Sequence, residues 1–296
     1  MAQVVLFRPK EWYSQALSCI RAPLGLLYLA AALRDAGISV ALIDTDTTDD
    51  WQHAVSDAVG PETVLAGVGT MTGYQIGGAL EFARYVRGLT DARIVWGGLH
   101  PSLMPEQTLA HEKVDVIVIG EAEQTLVSLV RCLQSDGDLA DVPGICFMRD
   151  GQILRTPTPD FIDMDTLAQP AYDLVDVEHY ASIAGKVVKD FRRCLEVNTD
   201  RGCPRRCAFC YNTSFNRRRW RAMSAAKVLD HTETLVHRYN LDSVNFVADN
   251  FCVDPRRVRD ICQGLIDRDL HILWHTDMRI DTFLRFDDDI LELMKR

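Results

Sequence analysis

No stretch of the sequence approaches the roughly 18 consecutive apolar residues that a bilayer-spanning helix needs. The longest candidate, Pro23 to Leu33, is followed at once by charged and turn residues. A basic leader is also missing: Met1 passes straight into Val4-Val5-Leu6-Phe7, so the N-terminus reads as mature and a cytoplasmic location is expected. There is no surplus of positive charge. With 32 Lys and Arg against 42 Asp and Glu the net charge is −10, which argues against a general binder of nucleic acid or anionic membrane, both polyanions. Low-complexity and collagen-like composition are absent too, since 47 % apolar and 25 % charged residues with 18 Gly and 11 Pro are globular proportions. A length of 296 residues favours two domains over one enlarged core. The fingerprint Gly-x-Gly-x-x-Gly does not follow the first strand, which disfavours NAD.

What is present in unusual number is cysteine. Nine is a high and odd count for a reducing compartment, where disulfides are rarely stable. Cys19, Cys132, Cys146, Cys194, Cys252 and Cys262 are scattered; Cys132 and Cys262 sit in helix-like stretches, Cys146 and Cys194 in strand-like ones, and these read as small buried hydrophobes. The other three, Cys203, Cys207 and Cys210, are crowded into eight residues.

Residues 1 to about 135 alternate short apolar strands with helical stretches. Strands are expected at Val4–Phe7, Val40–Asp44, Val64–Val68, Ile94–Trp96 and Val114–Ile119, helices at Leu24–Asp35, Trp51–Val59, Gly78–Arg87 and Gln124–Leu133. This pattern predicts an α/β domain over residues 1–140, a doubly wound, Rossmann-like parallel sheet. Ligands of such sheets bind beyond the carboxyl ends of the strands. Those ends read Gly69-Thr70-Met71, Gly97-Gly98-Leu99-His100 and Gly120-Glu121. Glycine there either lets a large flat ligand approach the backbone or simply turns strand into helix.

Between residues 141 and 191 the texture changes. Gly144–Met148 and Gln152–Leu154 flank Arg149-Asp150-Gly151, a hairpin signal, and Pro157, Pro159 and Pro170 then suggest an ordered linker. From 192 to 296 alternation resumes: strands at Cys194–Asn198, Ser243–Val247 and Ile272–Thr276, helices at Ser224–Tyr239 (Ser224 as N-cap), Pro255–Asp267 and Asp287–Lys295. Three successive βα units of this kind build barrels as well as open sheets.

Cys203, Cys207 and Cys210 form Cys-x3-Cys-x2-Cys just after the first of these strands. Thiolates select iron–sulfur clusters, zinc or copper. Structural zinc usually needs two separated ligand pairs, and no second pair exists; His231 and His237 lie on the following helix. Three ligands on a four-iron cluster leave one iron open to chemistry, and the spacing favours that reading over structural zinc.

The motif, with Phe209 just before its last cysteine, resembles the signature of the radical S-adenosylmethionine (SAM) superfamily. The resemblance implies a [4Fe-4S] cluster on Cys203, Cys207 and Cys210, whose open iron chelates the amino and carboxylate groups of SAM; an electron then splits the S–C5′ bond to give a 5′-deoxyadenosyl radical. Phe209, Tyr211, Asp249, Asn250 and Arg279 are the implied SAM contacts, though Asp249 and Asn250 could equally cap the turn before Pro255. The segments Trp220–Ser224, Phe246–Phe251 and Leu273–Arg279 fit the same family. The N-terminal half is similar to the cobalamin-binding domain of its B12-dependent branch, carried by Pro23–Ala30, Gly69–Thr72, Gly97–Pro101 and Val118–Glu123. Gly69, Thr70, Met71, Gly97, Gly98, His100, Gly120 and Glu121 are the implied cobalamin contacts, with His100 shaping the pocket or capping the next turn. The motif Asp-x-His-x-x-Gly is not present: Asp44-Thr45-Asp46 lacks the histidine.

Resemblance therefore implies a cobalamin-dependent radical SAM enzyme that abstracts hydrogen from an unactivated carbon of a small-molecule substrate and transfers a methyl group to it. Two alternatives are oxidative cyclisation of the magnesium-protoporphyrin monomethyl ester type and a non-catalytic cobalamin sensor with a structural metal. An electron donor such as flavodoxin or ferredoxin is the implied partner. Nine Arg against Glu196 and Asp200 in residues 192–221 give a local charge of +7. They read either as a nucleic-acid surface or, more in keeping with their bracketing of the cysteines, as compensation for an anionic cluster, substrate or reductase. The family's barrel has about six βα units, so with three the expectation is a truncated chain or one completed by a partner.

Overall fold

The computed structural model describes residues 1–10, 21–183 and 190–296; Cys19 lies outside the described residues. Two compact units emerge, one mainly from Pro23–Ile162 with the N-terminal strand, the other mainly from Val177–Arg296.

The first unit runs β1 (Val4–Arg8), α1 (Leu24–Asp35), β2 (Val40–Asp44), α2 (Trp51–Ala58), β3 (Leu65–Gly69), α3 (Gln75–Arg87), β4 (Arg93–Gly97), α4 (Leu99–Leu103), α5 (Pro105–Leu109), β5 (Val116–Val118), α6 (Glu123–Gln134), β6 (Ile145–Arg149) and β7 (Gln152–Arg155). The strands form one sheet in the order β2-β1-β3-β4-β5-β6-β7. The first five are parallel, and the order of doubly wound sheets with a switch point between β1 and β3 appears directly. The hairpin expected around Asp150-Gly151 forms as β6–β7, and β6 pairs antiparallel with β5. The sheet is thus mixed at that edge instead of wholly parallel, β6 running against β5 and β7 against β6.

Both faces of the sheet are covered, which is why its strands read as unbroken apolar runs. Along β1 the side chains alternate: Val5 and Phe7 face a core with Val55, Phe82 and Val86 from α2 and α3, while Val4 and Leu6 face one with Leu33, Leu126 and Leu129 from α1 and α6. Phe7 stacks on Phe82 with ring centroids 4.3 Å apart and planes 6° from parallel. The short helices α4 and α5 were not anticipated, since a helix of five residues is too brief to show periodicity.

The second unit runs α7 (Val177–Ile183), β8 (Cys194–Asn198), β9 (Asp200–Arg201), β10 (Arg221–Ala222), α8 (Ala225–Tyr239), β11 (Ser243–Val247), α9 (Pro255–Asp267), β12 (Leu273–Thr276), α10 (Ile280–Phe283) and α11 (Asp288–Lys295). Strands β8, β11 and β12 are parallel and adjacent in sequence order, the beginning of a βα barrel. Ser224 caps α8 through Lys227 N–H, as its sequence position predicts. Cys146, Cys194, Cys252 and Cys262 are buried, and burial pushes the Cys194 and Cys252 thiols up to about 12 and Cys262 to about 11, so they behave as hydrophobes; Cys132 is only half-buried.

Replacing Phe82 with alanine removes one ring from a fully buried stack and is expected to cost the first unit about 3–5 kcal/mol; urea denaturation followed by tryptophan fluorescence measures it.

Candidate functional site

In the second unit the chain leaves β8 and makes a loop whose base is closed by the antiparallel pair β9–β10, Arg221 opposite Arg201 and Ala222 opposite Asp200. Gly202 follows β9 at φ +88°, where a Cβ would strike the Arg219 carbonyl oxygen. Only glycine allows the loop to fold back over its own base before Cys203. Cys203 is buried and Cys207 and Cys210 are half-buried, the latter two linked by a turn from Cys210 N–H to Cys207 C=O.

The loop is fastened by a carboxylate from outside it. Asp249, two residues beyond the end of β11, accepts from Gly202 N–H, from Tyr211 Oη at 3.0 Å and from Asn212 Nδ2 at 2.8 Å. Behind Asn212 stands a buried amide relay: Asn216 Nδ2 donates to Asn212 Oδ1 at 2.5 Å, and Arg221 donates to Asn216 Oδ1 at 3.1 Å. Asn250 is 1 % exposed; its Nδ2 lies 3.8 Å from the Cys203 sulfur, and its Oδ1 finds no hydrogen-bond partner among the described residues. Beyond β12, Arg279 points NH1 at the Cys207 sulfur (3.4 Å). Side chains from the carboxyl ends of all three parallel strands therefore meet at the cysteines, the end of a βα array where active sites are built.

Asp249 and Asn250 do not cap the turn before Pro255, which was one reading of their position. Asp254 does so, accepting from Arg256 N–H. Phe209, next to the last cysteine, is 93 % exposed. Asn212 and Asn216 were not singled out from sequence; a pair four residues apart is common, and only burial gives it a role.

Beneath the site lies a charged pair. Asp200 is buried and accepts from the N–H groups of Asp249 and Asn250 at 2.9 and 3.3 Å, so it holds the strand end that holds the loop. Arg257, also buried, ties Met223 and Thr199 carbonyls together at 2.7 and 2.8 Å. Burial pushes the Asp200 carboxyl up to about 7, against the opposing pull of Arg257 and the two N–H donors.

The three free thiols fit an iron–sulfur cluster. None of the three is in a disulfide, and three soft donors are the set such a cluster takes. Two of the three sulfurs also have N–H donors nearby.

In the first unit the ends of β3, β4 and β5 are drawn together. Thr70 N–H donates to Gly97 C=O at 2.9 Å and His100 N–H to Thr70 C=O at 3.1 Å. Gly98, at φ +93°, has room only for hydrogen, since a Cβ would stand 2.9 Å from the Thr70 carbonyl oxygen. By contrast a Cβ on Gly97 or Gly120 would meet nothing within 4 Å, so both border open space. The Thr70 hydroxyl is buried and has no partner among the described residues. His100 is buried in the first turn of α4 and shares a 3.1 Å hydrogen bond with Thr72, so it links two strand-end loops. Glu121 accepts from Ile162 N–H at 3.1 Å. Met71, an implied cobalamin contact, is exposed, as are Tyr74 just before α3, Leu103 at the end of α4 and Met104 after it, an apolar rim of which the sequence marked only Met71. Open glycine floors, an orphan hydroxyl and an apolar rim suit a broad, largely apolar macrocycle. Asp44 and Asp46, where a histidine motif is missing, are engaged by Arg8 at 3.5 and 3.0 Å.

Comparison with known proteins decides the family. Residues 20–130 match the B12 binding domain and residues 197–296 the radical SAM superfamily. The chain belongs to the B12-binding radical SAM proteins. It is 30 % identical over 280 residues to the anaerobic magnesium-protoporphyrin IX monomethyl ester cyclase of Synechocystis sp., covering 93 % of this chain and 54 % of the relative. It is 28 % identical over 267 residues to an uncharacterized methyltransferase of Pyrococcus horikoshii, covering 88 % and 56 %. Among solved structures it superposes on the radical SAM methyltransferase TsrM of Kitasatospora setae, bound to tryptophan and a SAM analogue, with a TM-score of 0.80 at 20 % identity, over 98 % of this chain and 56 % of that one. The chain spans about half the length of the curated relatives it matches. Cobalamin, a [4Fe-4S] cluster and SAM, the cofactors expected from the sequence, are those of this B12-binding radical SAM family. No helix among the described residues is long and apolar enough to cross a membrane.

Two outcomes follow from the loop. Gly202→Ala forces a side chain into a left-handed backbone and onto a carbonyl, a strain of about 1–3 kcal/mol or more, and is expected to lower iron retained after anaerobic reconstitution at least several-fold. For Asp200, folded and unfolded carboxyls are both protonated at low pH; as pH rises above 3.8 the unfolded chain releases its proton while the folded chain keeps it to about pH 7. Stability is thereby lost across that window. Asp200→Asn, which keeps the two N–H acceptances, is expected to gain on wild type from pH 4.5 to pH 7.5 in urea denaturation.

Proposed function

We propose that this chain carries the cofactor-binding part of a cobalamin-dependent radical SAM enzyme that methylates an unactivated carbon of a small-molecule substrate. The observation that supports this most is the convergence of three strand ends on three thiols. When bound, the cluster supplies the electron for reductive cleavage of SAM and cobalamin supplies the transferable methyl group.

The chain's own residues do the positioning. Cys203, Cys207 and Cys210 would hold the cluster, and Asp249 keeps their loop folded by taking three donors at once. The buried Oδ1 of Asn250, beside Cys203, is an acceptor suited to the amino group of SAM. In the first unit Gly97 and Gly120 would let the corrin approach the backbone, with Thr70 offering a hydroxyl to its edge. Methylation is favoured by the methyltransferases among relatives and solved structures. Oxidative cyclisation is the second reading, favoured by the 30 % identity to the cyclase.

Anaerobic reconstitution tests the reading. About four iron and four sulfide per chain are expected, with each of Cys203→Ala, Cys207→Ala and Cys210→Ala abolishing 5′-deoxyadenosine release from SAM under dithionite. One zinc per chain and no sulfide would overturn it.

A further inference from the structure

Family resemblance implies Arg279 as a SAM contact; in the structure its guanidinium is engaged by two groups of the chain itself. NH1 donates to the Cys207 sulfur at 3.4 Å, and Nε donates to Asp281 Oδ1 at 2.9 Å. The other oxygen of Asp281 lies 3.1 Å from NH2 of Arg205, a residue inside the cysteine loop between Cys203 and Cys207. One carboxylate thus joins an arginine of the loop to an arginine beyond β12 and fixes the latter against a sulfur. The hydrogen bond from Arg279, helped by the nearby charge of Arg205, holds the Asp281 carboxyl below its ordinary range, so the clasp stays ionised at neutral pH.

We infer that Arg279 is a positioning residue that sets the reduction potential of the centre carried by Cys203, Cys207 and Cys210, with Asp281 as the brace that keeps it there. The inference rests on the cluster reading of those cysteines. Its physical basis is charge. Adding an electron to a thiolate-ligated cluster makes it more anionic, and an N–H···S contact from a permanently charged group stabilises that state and raises the potential. A guanidinium suits the task because it cannot lose its proton and because its planar fork meets the carboxylate and the sulfur together. Asn250 gives a weaker counterpart at Cys203, neutral and at 3.8 Å. The loop itself supplies much positive charge, but Arg279 comes from outside it, so changing Arg279 leaves the cysteine spacing, the β9–β10 base and the Asp249 latch untouched.

The test compares wild type, Arg279→Gln, Arg279→Lys and Asp281→Asn after anaerobic reconstitution. Iron and sulfide are counted first, and the cluster is then titrated with dithionite under EPR in the absence of SAM. Arg279→Gln is expected to keep full iron while its ratio of reduced to oxidised cluster, at the wild-type midpoint, falls about tenfold, which for one electron is a midpoint about 59 mV lower. Arg279→Lys, keeping the charge without the fork, and Asp281→Asn, freeing the guanidinium, are expected to shift in the same direction by less. A wild-type midpoint in Arg279→Gln with full iron overturns the inference, as does a defect that appears only when SAM is added. If Arg279→Gln does not load iron, Arg279→Lys decides in its place, and an unchanged midpoint there overturns the inference. Failure of the wild type itself to hold iron and sulfide would instead overturn the proposed function.

Discussion

The Asp249 carboxylate is the contact on which the second unit's site depends. A loop of some twenty residues closing on a two-residue ladder has little of its own to define it, and its cysteines are worth nothing to a metal unless they return to the same place. One side chain takes an N–H from the start of the loop, a phenol and an amide from its middle. Because Asp249 sits just past a core strand, the loop inherits the rigidity of the sheet. Asp200 and Arg257 extend that support downwards, fixing the backbone from which Asp249 projects and the two crossing strand ends.

The first unit solves a different problem with the same geometry. Parallel strands buried on both faces end together on one edge, and the backbone must come close there without side chains in the way. Gly98 lets the β3 and β4 ends touch, while Gly97 and Gly120 leave space. These are separate uses of one residue type: the first is a steric demand of the protein, the second an allowance for something large. Sequence cannot tell them apart, whereas the surroundings of a hypothetical Cβ can.

The run of arginines in residues 192–221 also divides once its contacts are known. Arg193 forks onto Glu178, Arg205 reaches Asp281, and Arg221 feeds the amide relay. Several members are structural ties within an acidic protein. These three side chains thus have partners within the chain.

Periodicity and spacing carried a good deal. The alternation of apolar runs specified the strands and helices of both units, because burial on both faces of a parallel sheet demands continuous apolar strands, and Cys-x3-Cys-x2-Cys marked the site because three soft donors in eight residues have few other uses. Short-range signals such as the Ser224 cap and the Asp-Gly hairpin were equally readable, since their partners lie within a few residues. What needed the tertiary structure was what no local pattern records: the hairpin's place against β5, the two one-turn helices, Asp249 as the loop's anchor instead of the cap before Pro255, the Asn212–Asn216 relay, and Arg279 against a residue 72 positions earlier. Hydrogen bonds of that kind leave no period in the sequence, because direction and burial, which determine them, exist only after the strands have been brought side by side.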